Sequence, residues 1–248
     1  MIEQKLRGTV ALVTGASSGI GEATALALAS EGARVGICAR RLDRLDDLAA
    51  RIRHNGGEAL PVQTDVTSET AMSDAAARIT GEFGRLDMLL AIAGIGVAAP
   101  FHNTSTSEYR QMFDVNVLGL LYSIHAALPF MKAQHDGHIV ILSSGTGRYI
   151  HPSTVYSASK HAASALAESL RREVSKEGIR VTCVEPGAVS TEFIAQMRTD
   201  VRDTVNTRLA GMEMLKAEDV AAAILYAVSQ PKRVNVNILT LYPTEQAS

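Results

Sequence analysis

The chain alternates between two kinds of hydrophobic pattern. Short runs of apolar, often β-branched residues recur at 9–14, 33–39, 59–63, 88–92, 138–142, 180–185 and 234–239. Runs this short, with no polar alternation, read as strands buried on both faces, the pattern of a parallel sheet. Longer stretches lie between them, with apolar residues returning at helical spacing. They predict helices over 20–30, 42–54, 68–83, 107–132, 153–176 and 217–229. Gly32, Asn55-Gly56-Gly57, Gly84, Gly178 and Pro231 follow helices, and Thr67-Ser68-Glu69 opens one. The 107–132 helix is interrupted only at Pro129.

Strand and helix alternate throughout, with short connections. The pattern predicts an α/β fold, a Rossmann-like doubly wound parallel sheet of seven strands with helices on both faces. No repeat or linker divides the 248 residues, so one domain is expected over 1–248. One stretch, 187–216, has neither a clear strand nor a long helix. A segment of that length in a compact domain is usually a lid over a site.

Composition narrows the classes of function. Apolar residues make up 46% and charged residues 20%, as in globular domains. The 24 basic and 26 acidic residues leave a net charge of -2, which argues against a nucleic-acid partner or an anionic membrane surface. Residues 1–7 are polar, unlike a signal peptide, and no apolar run approaches a membrane span. Cys38 and Cys183 sit in strand-like surroundings and read as small buried residues of a reducing compartment. A soluble, cytoplasmic protein is expected. Seven histidines (54, 102, 125, 135, 138, 151 and 161) form no ligand pair with acidic or cysteine support, so no metal site is expected.

The first strand runs into Thr14-Gly15-Ala16-Ser17-Ser18-Gly19-Ile20-Gly21 and then a helix. Glycines there let the backbone turn tightly and approach a pyrophosphate, and a helix N-terminus supplies N–H donors. Gly15, Ser17, Ser18, Gly19, Ile20 and Gly21 are the expected contacts. The spacing is G-x-x-x-G-x-G, not the G-x-G-x-x-G of the standard fingerprint. NAD enzymes usually carry an acid about 20 residues past the glycines. Here the second strand ends Cys38-Ala39-Arg40-Arg41, with no acid. Arg40 could bind a 2′-phosphate, which favours NADP(H); alternatively, Arg40 and Arg41 end a strand in solvent. Asp65, after the third strand, either receives the adenine edge or starts the next helix.

Taken together, these residues resemble the short-chain dehydrogenase/reductase family, over essentially the whole chain. The matching motifs are Thr14–Gly21, Asp65-Val66, Asn116 in Asp114-Val115-Asn116-Val117-Leu118-Gly119, the pair Ser143-Ser144, Tyr156-Ser157-Ala158-Ser159-Lys160, and Pro186-Gly187 followed by Val189 and Thr191. The resemblance implies a catalytic set of Asn116, a serine, Tyr156 and Lys160. The serine would bond the substrate oxygen, Asn116 would position a water in a proton relay, and Lys160 would also hold the nicotinamide ribose. Tyr156 and Lys160, four apart on a helix, share a face. A phenol titrates at ~10 and is a poor base at neutral pH. A nearby ammonium and an oxidised nicotinamide would lower that value and make Tyr156 a general acid and base.

The serine is open on spacing alone. The family's twelve intervening residues select Ser143, whereas Gly137-His138-Ile139-Val140 and Gly147-Arg148 align with Ser144. The second alignment requires one residue deleted in a loop, which is easier than a slip in a buried strand, so Ser144 is preferred. The family's Asn-Asn-Ala-Gly is replaced by Ala91-Ile92-Ala93-Gly94. This removes an expected brace of the sheet, while Ala93 and Gly94 still allow close approach to the cofactor.

The C-terminal stretch, 234–246, resembles the subgroup of NADP-dependent 3-hydroxy acid (serine-type) dehydrogenases and the reductase of clavulanate biosynthesis. The expected reaction is hydride transfer between NADP(H) and a small-molecule carbonyl or secondary alcohol. A β-ketoacyl-thioester reductase and a non-catalytic NADP(H)-binding regulator are the alternatives. Family members are usually tetramers built partly through the two long helices, so a homo-oligomer, tetramer or dimer, is expected. Tyr149 and His151 precede the catalytic helix and either face substrate or lie on the surface. Glu192, Arg198, Arg202 and Arg208 fall in the lid, where an arginine could bind an acidic substrate or stay solvated.

Overall fold

Five of the seven apolar strand runs are buried on both sides, whereas those at 59–63 and 234–239 form sheet edges and are partly exposed. The computed structural model describes residues 4–97, 99–150, 153–195 and 197–246. The order of elements is β1 (Val10–Thr14), α1 (Gly19–Ser30), β2 (Arg34–Ala39), α2 (Leu42–His54), β3 (Glu58–Gln63), α3 (Glu69–Phe83) and β4 (Met88–Ala91). Then follow α4 (Thr106–Phe113), α5 (Gly119–Gln134), β5 (Gly137–Leu142), α6 (Thr154–Val174) and β6 (Ile179–Pro186). The last third holds β7 (Val189–Ser190), α7 (Glu192–Ala195), α8 (Thr199–Leu209), β8 (Leu215–Lys216), α9 (Ala217–Val228) and β9 (Ile238–Leu241).

Seven strands form one parallel sheet in the order β3-β2-β1-β4-β5-β6-β9. Residues alternate between its faces as the pleat requires. Val10 and Leu12 of β1 pack with α3, α5 and α6, through Ile79, Ile124 and Leu170. Ala11 and Val13 pack with α1, α2 and α9, through Leu28, Leu48 and Ile224. Each large side chain buried this way contributes roughly 1.5–3 kcal/mol. Chain order reverses between β1 and β4, and a crevice opens there beyond the strands' carboxyl ends.

Four sequence expectations need adjustment. The last strand was expected at 234–239 but pairs from Ile238. Upstream, the Asn235 amide accepts from Val181 N and donates to Val181 O, both at 2.9 Å, so a side chain takes the place of a ladder rung. The 107–132 helix is not broken at Pro129, which sits inside α5; its irregularity is a wide π turn over Asp114–Leu118. Counted through that turn, the helix Thr106–Gln134 has 29 residues and is long and apolar enough to cross a membrane, contrary to expectation. Its apolar face, with Leu120, Ile124 and Met131, lies in the core instead. The 187–216 segment contains the eleven-residue α8 and the short β7–β8 pair. Val201 and Met197 give it a small core of its own with Ala99. Cys38 and Cys183 are both buried free thiols.

Candidate active site

The site is built where strands end. One cleft of about 630 Å³ runs from the β1–α1 turn to the 187–216 segment. Its first wall is the glycine turn. Gly15 and Gly19 have φ of 68° and 56°, which favours glycine. A Cβ on Gly15 would lie 2.9 Å from Ala93 Cα, and one on Gly21 would land on the Gly15 carbonyl. The turn therefore closes only with glycine, leaving the N-terminus of α1 facing the cleft.

The residues expected on the adenosine side divide unevenly. Arg40 lines the cleft but is exposed. Arg41 is the arginine turned onto the turn. Its Nη2 donates to Ser17 Oγ (3.0 Å), Ser18 Oγ (2.9 Å) and Ser17 O (3.3 Å), and its Nη1 to Glu192 Oε2 (3.1 Å). Asp65 Oδ1 accepts from the backbone N and hydroxyl of Thr67, a local turn ahead of the Ser68 cap of α3, and Asp65 lines the cleft with Val66. The missing asparagine brace is replaced by Thr14, whose hydroxyl accepts from Ile92 N and Ala93 N at 3.0 and 3.1 Å.

At the other end, Ser144, Tyr156 and Lys160 meet. Ser144 Oγ accepts from the backbone N and hydroxyl of Thr146, at 3.2 and 3.0 Å. Both its acceptor positions are then used, leaving its O–H for Tyr156, whose ionised form it favours. Ser143 also lines the cleft, but its hydroxyl turns to α6. Its hydroxyl is buried, donates to Lys160 O at 2.9 Å and sits 2.8 Å from Ser164 Oγ.

Lys160 is buried, donates to Leu142 O at 2.9 Å and lies 6.0 Å from the Tyr156 ring centre. Desolvation pushes its ammonium down to about 8. Burial likewise pushes the Tyr156 phenol up to about 12, against the smaller pull of Ser144. The expected lowering of Tyr156 by Lys160 is therefore not met by the residues alone, because burial outweighs the other influences on the phenol.

Asn116 occupies the π turn and is buried. Its amide accepts from Ile95 N (2.9 Å) and donates to Ile95 O (2.8 Å) and Ser159 Oγ (3.0 Å). It also borders a pocket of about 10 Å³ shared with Lys160 and Leu142. Ala93, Gly94, Pro186, Gly187, Val189 and Thr191 all line the main cleft. The end of the cleft beside the 187–216 segment is mostly apolar, with Tyr149, Phe193, Met197, Leu209 and Tyr242.

Of the charges in the 187–216 segment, Glu192 pairs with Arg41, and Arg198 is a strut to Glu108 and Asp200. Arg208 is exposed and lines the cleft, whereas Arg202 does not line it. His151 lies outside the described residues. Sequence reasoning missed Thr14, Tyr242 and Gln246. Gln246 Oε1 accepts from Ala188 N at 2.8 Å, and Tyr242 packs over Gly145 and Gly187. Nothing in the periodicity of 242–246 marks a cleft wall, because only the return of β9 beside β6 brings it there.

With fold and cleft in hand, comparison with known proteins is direct. The family model for short chain dehydrogenases matches residues 9–202. The chain belongs to that family, and it is an oxidoreductase acting on alcohol or carbonyl groups. A glycine betaine reductase from Emericella nidulans is 40% identical over 243 residues, 97% of this chain, but the chain spans only 19% of that protein. An uncharacterized oxidoreductase from Listeria monocytogenes is 36% identical over 244 residues, covering 97% of this chain and 98% of the relative. The closed form of a serine dehydrogenase complexed with NADP+ superposes with a TM-score of 0.90 at 30% identity, covering 97% of each chain.

Proposed function

We propose that the protein transfers a hydride between NADP(H) and a carbonyl or secondary alcohol of a small molecule, with Tyr156 as general acid and base. The observation that carries this reading is the convergence of Ser144, Tyr156 and Lys160 in the cleft whose far end is the glycine turn and Arg41. The cleft suits a dinucleotide phosphate: three glycines form a cradle that side chains would fill, beside a free helix N-terminus.

Gly15, Ser17, Ser18, Gly19, Ile20 and Gly21 would hold the pyrophosphate. Arg41, rather than the exposed Arg40, would take the 2′-phosphate, a change from the sequence expectation. Asp65 and Val66 would border the adenine, and Ala93 and Gly94 the adjoining ribose. Pro186, Gly187, Val189 and Thr191 would flank the nicotinamide end. When bound, the cofactor supplies or accepts the hydride.

The chain's own residues manage the proton. With substrate bound, Ser144 would turn its single O–H from Tyr156 to the substrate oxygen. Tyr156 gives that oxygen its proton as the carbonyl is reduced. A phenol held at about 12 keeps its proton through the neutral range, which suits reduction. In alcohol oxidation, the positive nicotinamide would have to lower it. Lys160 would hold the ribose and, through its ammonium, the negative charge left on Tyr156. The small pocket beside Asn116 and Lys160 is at the lower limit for one water, which would resupply the proton.

The apolar lid end favours a substrate with an apolar or aromatic body over a strongly charged one. The protein would work in the cytoplasm as a homo-oligomer, tetramer or dimer. Phe113, Leu118 and Leu121, each about 40% exposed on the long helix, support that assembly. The test is NADPH consumption against short 3-oxo and 3-hydroxy acids including serine, apolar ketones and aldehydes, and β-ketoacyl thioesters. Turnover on one class supports the reading; tight NADPH binding with no turnover on any would favour a regulator.

A further inference from the structure

Glu192 is the first residue of α7, on the lid side of the cleft. Its carboxylate reaches back to the adenosine side. Oε2 lies 3.1 Å from Arg41 Nη1, and Oε1 lies 3.9 Å from Arg44 Nη2. Arg41, first, and more weakly Ser18 hold that carboxylate in its ionised form. The rest of the Arg41 fork is held by Ser17 and Ser18, with Nε 3.3 Å from Ser17 Oγ and Nη2 on both hydroxyls. The guanidinium is thus fixed in place with all its directed contacts on oxygen. Among its hydrogen-bond partners in the described residues, Glu192 is the one that carries charge.

A carboxylate on an arginine fork occupies the place that phosphate oxygens take, because both are planar or tripodal anions read by paired N–H donors. We infer that Glu192 sets cofactor preference: its carboxylate stands in on Arg41 for the 2′-phosphate, supporting Arg41 when the cofactor lacks that group and competing when it is present. This rests on the reading that Arg41 receives the 2′-phosphate. A cofactor without the phosphate leaves the ion pair intact. One with the phosphate must displace Glu192 or sit beside a like charge. In both cases Glu192 narrows the preference for NADPH over NADH. The competition also reaches the lid, since Thr191, the preceding residue, packs on Gly19 of the glycine turn, where an added Cβ would lie 3.2 Å from the Thr191 side chain.

The test is titration calorimetry of the full chain with NADPH and with NADH, repeated with adenosine 2′,5′-bisphosphate and 5′-AMP, which lack the nicotinamide. Glu192→Gln keeps the size and hydrogen-bonding reach of the side chain while removing its charge. The pair is partly exposed, so the NADPH-to-NADH affinity ratio should rise by about two- to five-fold, through tighter NADPH binding. The two adenosine probes should show the same change. Effects on folding or lid position are common to both cofactors and cancel in the ratio. In an Arg41→Ala background, Glu192→Gln should leave the ratio unchanged. A ratio that stays level or falls in Glu192→Gln, while Arg41→Ala still weakens NADPH, overturns the inference and spares the Arg41 reading. If Arg41→Ala leaves NADPH affinity unaltered, the Arg41 reading fails and the inference with it.

Discussion

Ser143 and Ser144 are adjacent and point in opposite directions, as successive residues at a strand end do. Ser143 ties the buried wall of β5 to Lys160 O and Ser164, whereas Ser144 turns to Tyr156. Two different losses follow. Ser144→Ala should lower turnover by about 10²-fold or more, with little change in melting temperature. Ser143→Ala should keep turnover within a few-fold and cost about 0.5–1.5 kcal/mol of stability, because Lys160 O and Ser164 Oγ each lose one buried partner. Steady-state rates and thermal melts of the two variants check this. Motif spacing alone pointed to Ser143; the requirement that a strand keep its faces pointed to Ser144, the serine that meets Tyr156 in the cleft. Arg41 was harder to read than Ser144. Two consecutive arginines at a strand end look alike in sequence, and only the placement of Ser17 and Ser18 distinguishes them.

At the scale of elements, the strands and helices were legible because a doubly covered parallel sheet writes its pattern in unbroken apolar runs. The misplaced pieces are those where a side chain does a backbone's work or a helix changes pitch. Asn235 extends β6's ladder without being in a strand, and Val234–Asn237 resembles a strand in its alternation. Asn235→Ala would leave Val181 N and O without these partners and should destabilise the protein by roughly 1–3 kcal/mol. Asn235→Asp, which keeps the acceptor but not the donor, should fall between. Denaturant unfolding of both measures it, and an unchanged midpoint in Asn235→Ala would deny the side chain this structural role. The π turn at Asp114–Leu118 was likewise invisible, since apolar spacing does not record a single widened turn. It brings Asn116 into the interior against Ile95 and Ser159.

The whole molecule places its polar machinery on the carboxyl edge of the sheet and leaves one titratable ring deep inside it. His138 is buried in β5, with Nε2 2.7 Å from Thr182 Oγ1. Thr182 spends its own proton on Val236 O, so the ring donates through Nε2, and Nδ1 has no hydrogen-bond partner. Desolvation, helped by Arg180, pushes the ring from 6.5 down to about 3. The unfolded chain therefore takes up a proton below about pH 6.5 that the folded chain refuses until about pH 3. Stability should fall as pH drops through that window, by up to ~1.4 kcal/mol per pH unit from this ring. His138→Gln should flatten that slope, as chemical denaturation across the window would show.

The central claim concerns the carboxyl edge of the sheet, where the proposed reaction would exchange a proton and a hydride in one cleft. Tyr156→Phe removes the phenol oxygen and nothing else, leaving Lys160, the glycine turn and Arg41 in place. The direct measurement is NADPH-dependent carbonyl reduction by this variant, alongside its NADPH dissociation constant. We predict turnover lowered by about 10²–10⁴-fold with NADPH affinity within a few-fold of the parent. Near-normal turnover in Tyr156→Phe would contradict the account.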